Sequence, residues 1–386
     1  MDQPNHTVLN EKDNQSLFKE FFESEKAGGA ILIFFTILSL ILANTVLYEK
    51  IESFWNTSFA HHSLRHWIND GLMAVFFLLI GLELEREIYV GELSTLKKTM
   101  LPVMSAIGGM MIPAGIYLLF NAGTPMSSGF GIPMATDIAF AIGILALIKK
   151  VPLSLKIFLT ALAIVDDLGA ILIIALFYSD QIIIQNLLIS LGIFGLLIIL
   201  NRRNVNNLIP YVIGGIAMWY FMSVSGIHAT ISGVLLAFAI PFRKGRKSPS
   251  DHLQHFLHKP VAFLIIPLFV AANTLIKVET GLNELFAESY VIGIMLGLIL
   301  GKPLGILMFS YLAVRLKMCS LPADVTWKKI AGAGLLAGIG FTMSIFITIL
   351  AFSNDSDVNN AKIAILMASA LSGIAGFILL RQSRNK

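Results

Sequence analysis

The chain has 386 residues, of which 56% are hydrophobic and only 13% charged, whereas a soluble chain carries about a quarter charged residues. That deficit excludes an ordinary water-soluble globular protein, and the single cysteine, Cys319, excludes a disulfide framework or a cysteine-rich metal site. The net charge of +4 comes from basic residues in short loops between apolar runs, so it is no sign of a nucleic-acid partner, and none is expected.

The first segment, Met1 to Lys26, is polar and carries charges of both signs. It lacks the early apolar stretch of a cleavable signal peptide, so it reads as a cytoplasmic tail, disordered or lying on the membrane surface, with the first span serving as an uncleaved signal. Apolar runs then follow at 27–48, 70–89, 99–120, 129–148, 153–178, 182–200, 207–222, 228–241, 258–277, 289–312, 329–352 and 361–381. A helix needs roughly 20 residues to cross a bilayer, and these runs predict an all-α membrane protein of about twelve transmembrane helices. The seventh and eighth are short. The connections leave no room for a second, soluble domain, and residues 382–386 form a short tail.

Lys and Arg set the orientation. With the amino terminus inside, 23 of the 28 basic residues fall on inside segments, among them Lys97, Lys98, Lys149, Lys150, Arg202, Arg203, Lys244, Arg246, Lys247, Arg315, Arg381 and Arg384. Only Lys50, Arg65, Lys277 and Lys362 fall outside, and Lys302 lies within the membrane. This is the positive-inside pattern at every predicted cytoplasmic loop, and it puts both termini in the cytoplasm.

With the loops and the polar ends of the runs set aside, four charged residues lie well inside apolar runs: Asp137, Asp166, Asp167 and Lys302. Each costs roughly 2.5–3.5 kcal/mol at a helix centre, so such groups face a watery cavity, pair with one another, or neutralise. In Ala163-Ile164-Val165-Asp166-Asp167-Leu168-Gly169 two adjacent carboxylates point about 100° apart on a helix. One can face a cation path while the other meets a partner helix; a purely structural ion pair would leave negative charge over. Asp137 follows Gly129-Phe130-Gly131-Ile132-Pro133-Met134-Ala135-Thr136, where glycine and proline weaken the helix. A second weak point is Ala337-Gly338-Ile339-Gly340-Phe341-Thr342-Met343-Ser344. Two such interruptions, one in each half of the chain, point to an inverted-repeat transporter with two broken helices meeting near the midplane. Asp137 and Lys302 have the right signs to compensate the partial charges at broken helix ends. Gly293, Gly297, Gly301 and Gly305 recur every fourth residue around Lys302 and predict a flat face for close helix approach.

At the cytoplasmic ends, Glu83, Arg86 and Glu87 close the second run, and His252, His255 and His258 open the ninth. Histidine titrates near neutral pH, so the cluster suits a pH sensor; the same residues also suit a solvated loop.

The strings Pro133-Met134-Ala135-Thr136-Asp137-Ile138-Ala139-Phe140, Ala161-Leu162-Ala163-Ile164-Val165-Asp166-Asp167-Leu168-Gly169 and Gly338-Ile339-Gly340-Phe341-Thr342-Met343-Ser344-Ile345-Phe346 resemble the NhaA family of bacterial sodium/proton antiporters, from about Gly28 to Arg381. The resemblance implies twelve helices, with the third to fifth and the tenth to twelfth as inverted repeats. It implies a core bundle over 99–178 and 289–381 and an interface bundle over 27–98 and 182–277. It also implies a dimer formed partly through the segment from Glu49 to His66. By position, Asp166 and Asp167 resemble the family's essential pair that binds the transported Na+, Asp137 and Thr136 its acid and hydroxyl on a broken helix, and Lys302 its ion-paired or proton-carrying lysine. Glu83, Arg86, Glu87, His255 and His258 match its pH-response cluster, with Gln254 standing where the family usually has Glu. The activity implied is electrogenic, pH-regulated exchange of Na+, and also Li+, for H+ across the bacterial inner membrane. No cofactor is implied, and the chain has no G-x-x-x-x-G-K-[ST] phosphate loop. An intramembrane aspartyl protease would carry a Gly-x-Gly-Asp string, absent from the sequence, and a passive cation channel calls for an acid ring from symmetric subunits.

Overall fold

The computed structural model describes residues 27–91, 96–149, 151–179, 181–243, 248–277 and 281–383. The expectations for the tail 1–26, for Lys150, for Lys244, Arg246 and Lys247, and for residues 384–386 lie outside the described residues, as do the side chains of Lys97 and Lys98.

Each predicted run contains a helix. α1 (Ala27–Ala43) turns by 118° into α2 (Tyr48–Trp55). An exposed two-stranded hairpin, β1 (Ser58–Phe59) with β2 (His62–Ser63), follows. Then come α3 (Leu64–Tyr89) and α4 (Leu96–Asn121). A 3-10 stretch, Pro125–Met134, leads through extended residues 135–137 to α5 (Ile138–Leu147). α6 (Leu153–Phe177), α7 (Ile184–Arg202), α8 (Ile209–Ser223), α9 (Ile231–Ala239) and α10 (Pro249–Asn273) continue the chain. After the one-turn α11 (Leu282–Leu285) come α12 (Ser289–Arg315), α13 (Trp327–Ala337), α14 (Phe341–Ala351) and α15 (Asp355–Gln382). α13 and α14 are bent by 47° across their break.

Among the described residues, eight helices are long and apolar enough to cross a bilayer, or ten when each bent pair counts as one span. α8 with 15 residues and α9 with 9 fall short of the roughly 20 that a span needs. Large apolar side chains such as Leu176, Ile216 and Ile374 point outward and exposed, as lipid-facing surfaces do and water-facing ones rarely do. The chain is therefore a multi-pass membrane protein.

Some boundaries differ from the apolar runs for local chemical reasons. α10 begins at Pro249, nine residues before its apolar run, because Ser248 and Asp251 form a reciprocal capping box ahead of Pro249. α3 begins at Leu64, where the Ser63 side chain accepts from the His66 amide. α10 and α12 each contain a widened turn, Val261–Ile265 and Gly297–Gly301. In both cases a proline, Pro267 or Pro303, lies two residues beyond that turn. Its ring cannot donate and crowds the carbonyl four residues back, so the local hydrogen bonds shift to a five-residue spacing.

Small residues fix the two closest helix crossings. An added Cβ at Gly108 on α4 would sit 2.3 Å from the Gly305 carbonyl on α12, and one at Gly305 only 2.1 Å from the Gly108 carbonyl. Ser105 and Ser310 bridge the same crossing at 2.6 Å. The predicted glycine face is thus used, with Gly297 and Gly301 against Pro113. In α9, Gly233 meets the Ala74 carbonyl of α3 in the same way.

Candidate ion site

The two interruptions face each other and are stitched together by backbone and side-chain bonds. The Asp137 amide donates to the Ile339 carbonyl at 2.7 Å. Its carboxylate caps α5 through the Phe140 amide at 3.1 Å and accepts from the Thr342 amide at 3.0 Å and the Thr342 hydroxyl. One carboxylate therefore sits at the amino ends of both α5 and α14, where partial positive charge accumulates. Ser344 Oγ donates to the Ile132 carbonyl at 2.7 Å, closing the crossing on its other side.

The carboxyl ends of the broken segments are met by donors. Lys302 Nζ donates to the Met134 carbonyl, the last of the 3-10 stretch, and lies 2.9 Å from Asp166 Oδ2. Thr136 Oγ1 lies 2.7 Å from the same carboxylate oxygen and 3.0 Å from the Ala337 carbonyl that ends α13. It has one proton, which serves one of the two at a time. Asp166 and Lys302 are both fully buried, and a pair in that setting holds only when further hydrogen bonds complete its valences. Thr136 and the Met134 carbonyl supply them.

Asp167 is different. It is 1% exposed, one residue along α6, and no donor among the described residues reaches either of its carboxylate oxygens or Asp166 Oδ1. Three buried acceptor atoms on adjacent residues, beside a compensated pair, form a site of excess negative potential. A proton or a small hard cation is the chemistry that such oxygens take. Among the described residues no group of three or more His, Cys, Asp or Glu side chains could hold a resident metal ion.

Glu83 is buried on α3 and shares a cavity of about 30 Å3 with His258 of α10 and with Ile138 and Ala139 at the start of α5. That is room for about one water. Arg86 and Glu87 are half-buried on the next turn. His255 is exposed, whereas Gln254 is buried and lies on the same helix face as His258, four residues on. The structure brings Glu83 and His258 together and sets His255 apart. Sequence reasoning passed over Glu85, which is buried and accepts from Ser250 Oγ at 3.1 Å. It also passed over Thr342 as Asp137's partner. A carboxylate at the end of an apolar run reads as solvated, and a threonine 205 positions away carries no local signal. His228, at the start of the eighth apolar run, places Nε2 2.7 Å from the Tyr178 carbonyl.

Residues 19–380 match the family model described as Na+/H+ antiporter 1. The chain is 61% identical to the Na+/H+ antiporter NhaA of Flavobacterium psychrophilum, covering 95% of this chain and 96% of that relative. It is 54% identical to the NhaA of Dechloromonas aromatica over 94% and 95% of the two chains, and 47% identical to that of Vibrio campbellii over 96% of each. With its buried aspartates at a crossing of interrupted helices, and with these matches over nearly its whole length, the chain belongs to the NhaA family of Na+/H+ antiporters.

Proposed function

We infer that this chain is a secondary antiporter exchanging Na+, and also Li+, for H+, with Asp167 as the principal cation ligand and proton carrier. The observation that carries the reading is the pair of Asp167 carboxylate oxygens, buried and reached by no donor among the described residues, next to an Asp166 already engaged by Lys302 and Thr136. A carboxylate binds either Na+ or a proton, so the two cargoes compete for one charge. Exposing that charge to each face in turn couples their movements. Asp166 and Lys302 separate when the cation draws Asp166 toward itself, freeing Lys302 to lose a proton; more protons than sodium ions then move per cycle, and exchange is electrogenic.

The architecture supporting this reading is twelve spans, with α8 and α9 as short ones. α4 through α6 and α12 through α15 form inverted repeats: a long glycine-faced helix, an interrupted segment, then a long helix. These make the core bundle, 99–178 and 289–381, which rocks against an interface bundle of 27–98 and 182–277. Asp137 holds the amino ends of the interrupted segments and Thr136 and Lys302 the carboxyl ends, so the crossing persists while the bundles move. Glu83, Arg86, Glu87 and His258 form the pH-responsive element, with His255 at its solvent edge. The protein lies in the bacterial inner membrane with both termini cytoplasmic, serves sodium and pH homeostasis, and dimerises partly through 49–66, where Arg65 forks onto Glu52 at 2.7 and 2.9 Å behind the exposed hairpin. Everted vesicles carrying a pH-sensitive dye test the exchange: added Na+ or Li+ should dequench the dye across pH 6.5–8.5, a window set around and above the histidine reference of about 6.5. No cation-dependent dequenching in that window overturns the reading.

A further inference from the structure

Away from the ion site, a groove of about 500 Å3 opens between α1, α5 and α15, floored by Ile339 and Phe341 at the second interruption. That volume falls within the roughly 300–1,000 Å3 typical of ligand sites. Its walls include Ile37, Ile144, Leu147, Ile374 and Phe377. The two polar side chains in the lining are engaged by the protein itself: Thr36 donates to the Leu32 carbonyl at 2.7 Å, and Ser369 accepts from the Phe341 amide at 3.2 Å. The groove offers a ligand only hydrocarbon contacts, and in a membrane-spanning chain the medium that meets it is lipid.

Charge marks one end of the groove. Ile144 of α5 packs on Gly373 of α15, and Phe140, one turn earlier, stacks edge to face on Phe341, whose amide bonds Ser369. The two helices therefore run side by side in the same direction. Beyond that contact α5 ends at Leu147, two residues before Lys149, and α15 passes Phe377 to Arg381, a rise of about 12 Å at 1.5 Å per residue. Both basic side chains are exposed, and among the described residues no carboxylate lines the groove.

We propose that this groove binds one acyl chain of an anionic phospholipid from the leaflet on the Lys149–Arg381 side, with the phosphate held between those two side chains. Paired basic residues at the membrane surface attract anionic headgroups, and an apolar channel leading inward from them selects an acyl chain. The chain's far end rests on Phe341. The amides of Phe140 and of Thr342, the residue after Phe341, hold the Asp137 carboxylate, so an occupied groove steadies the crossing from its lipid side. The proposal rests on the membrane-spanning fold and not on the exchange reading.

The protein purified in neutral detergent is titrated with phosphatidylglycerol or with phosphatidylcholine of the same acyl chains, and bound lipid is counted by native mass spectrometry. Phosphatidylglycerol should fill one saturable position at least about tenfold more tightly, equivalent to about 1.4 kcal/mol. Ala370→Phe, which fills the groove, should lose that position for both lipids. Lys149→Gln with Arg381→Gln should bring phosphatidylglycerol down to the level of phosphatidylcholine without removing the chain. If Ala370→Phe does not fold, Ile374→Trp fills the same space and must give the same loss. Wild-type lipid binding by the filled variant, or an undiminished preference in the charge variant, overturns the assignment. Loss of the lipid on dimer formation would give the groove to a second copy and overturn it equally. None of these readouts depends on transport.

Discussion

The interruption at 135–137 and the one at 338–340 meet the same physical problem with different residues. Each leaves unsatisfied amides at one new helix end and unsatisfied carbonyls at the other. The first carries an acid, Asp137, and a hydroxyl, Thr136, that serve both interruptions. The second contributes only neutral groups, Thr342 and Ser344. Charge compensation is thus concentrated on one side of the crossing, with Lys302 arriving from α12 to complete it. The same contrast separates Asp166, tied into this network, from Asp167, which belongs to no part of it. A carboxylate bonded into the crossing and one that no donor among the described residues reaches stand one position apart in the sequence.

This contrast predicts effects of decreasing size. Asp167→Asn keeps the side chain's size but removes the charge; Na+-driven dequenching in vesicles should vanish, while expression and unfolding temperature stay near wild type because no intramolecular bond is lost. A large fall in unfolding temperature would place Asp167 among the structural groups instead. Lys302→Gln should act the other way, lowering stability by about 3–5 kcal/mol through the unpaired Asp166 it leaves behind. Adding Asp166→Asn to that variant should recover most of the loss; simple additivity in the double-mutant cycle would show the two to be uncoupled.

At the crossing, Thr342→Val removes one hydrogen bond to a charged acceptor, about 1.5–3 kcal/mol, and Ser344→Ala removes a neutral one, about 1 kcal/mol. Equal costs in thermal denaturation would dissolve the distinction between the charged and neutral sides. The smallest effect concerns pH control. Gln254→Glu places a carboxylate on the same face as His258, which stabilises imidazolium. The activation midpoint should rise by up to about one unit, and His258→Ala should cancel that shift while His255→Ala leaves it in place. A midpoint that stays put in Gln254→Glu removes His258 from the threshold.

Much of this was legible in the sequence because charge inside an apolar run is conspicuous. Asp137, Asp166, Asp167 and Lys302 stand out without any structure, as do the glycine and proline strings at the two interruptions. What stayed hidden depends on contacts between distant positions. The Ala337 carbonyl that meets Thr136 and the Thr342 pair that holds Asp137 exist only because two breaks, about two hundred residues apart, cross in space. Gln254 and His255 are neighbours in sequence, but the helix turns them to different faces, one buried and one exposed. The capping box at Ser248 was written in the sequence, yet an apolar-run criterion is blind to a polar first turn, so α10 reads too short.

The proposed exchange requires Na+ and H+ to compete for the Asp167 carboxylate. Isothermal titration of Na+ into the purified protein, repeated in buffers of different ionisation enthalpy and at several pH values, measures binding and proton release together. Na+ binding should release protons, its apparent affinity should rise with pH, and Asp167→Asn should abolish both signals. Sodium binding that is independent of pH and unchanged in Asp167→Asn would contradict it.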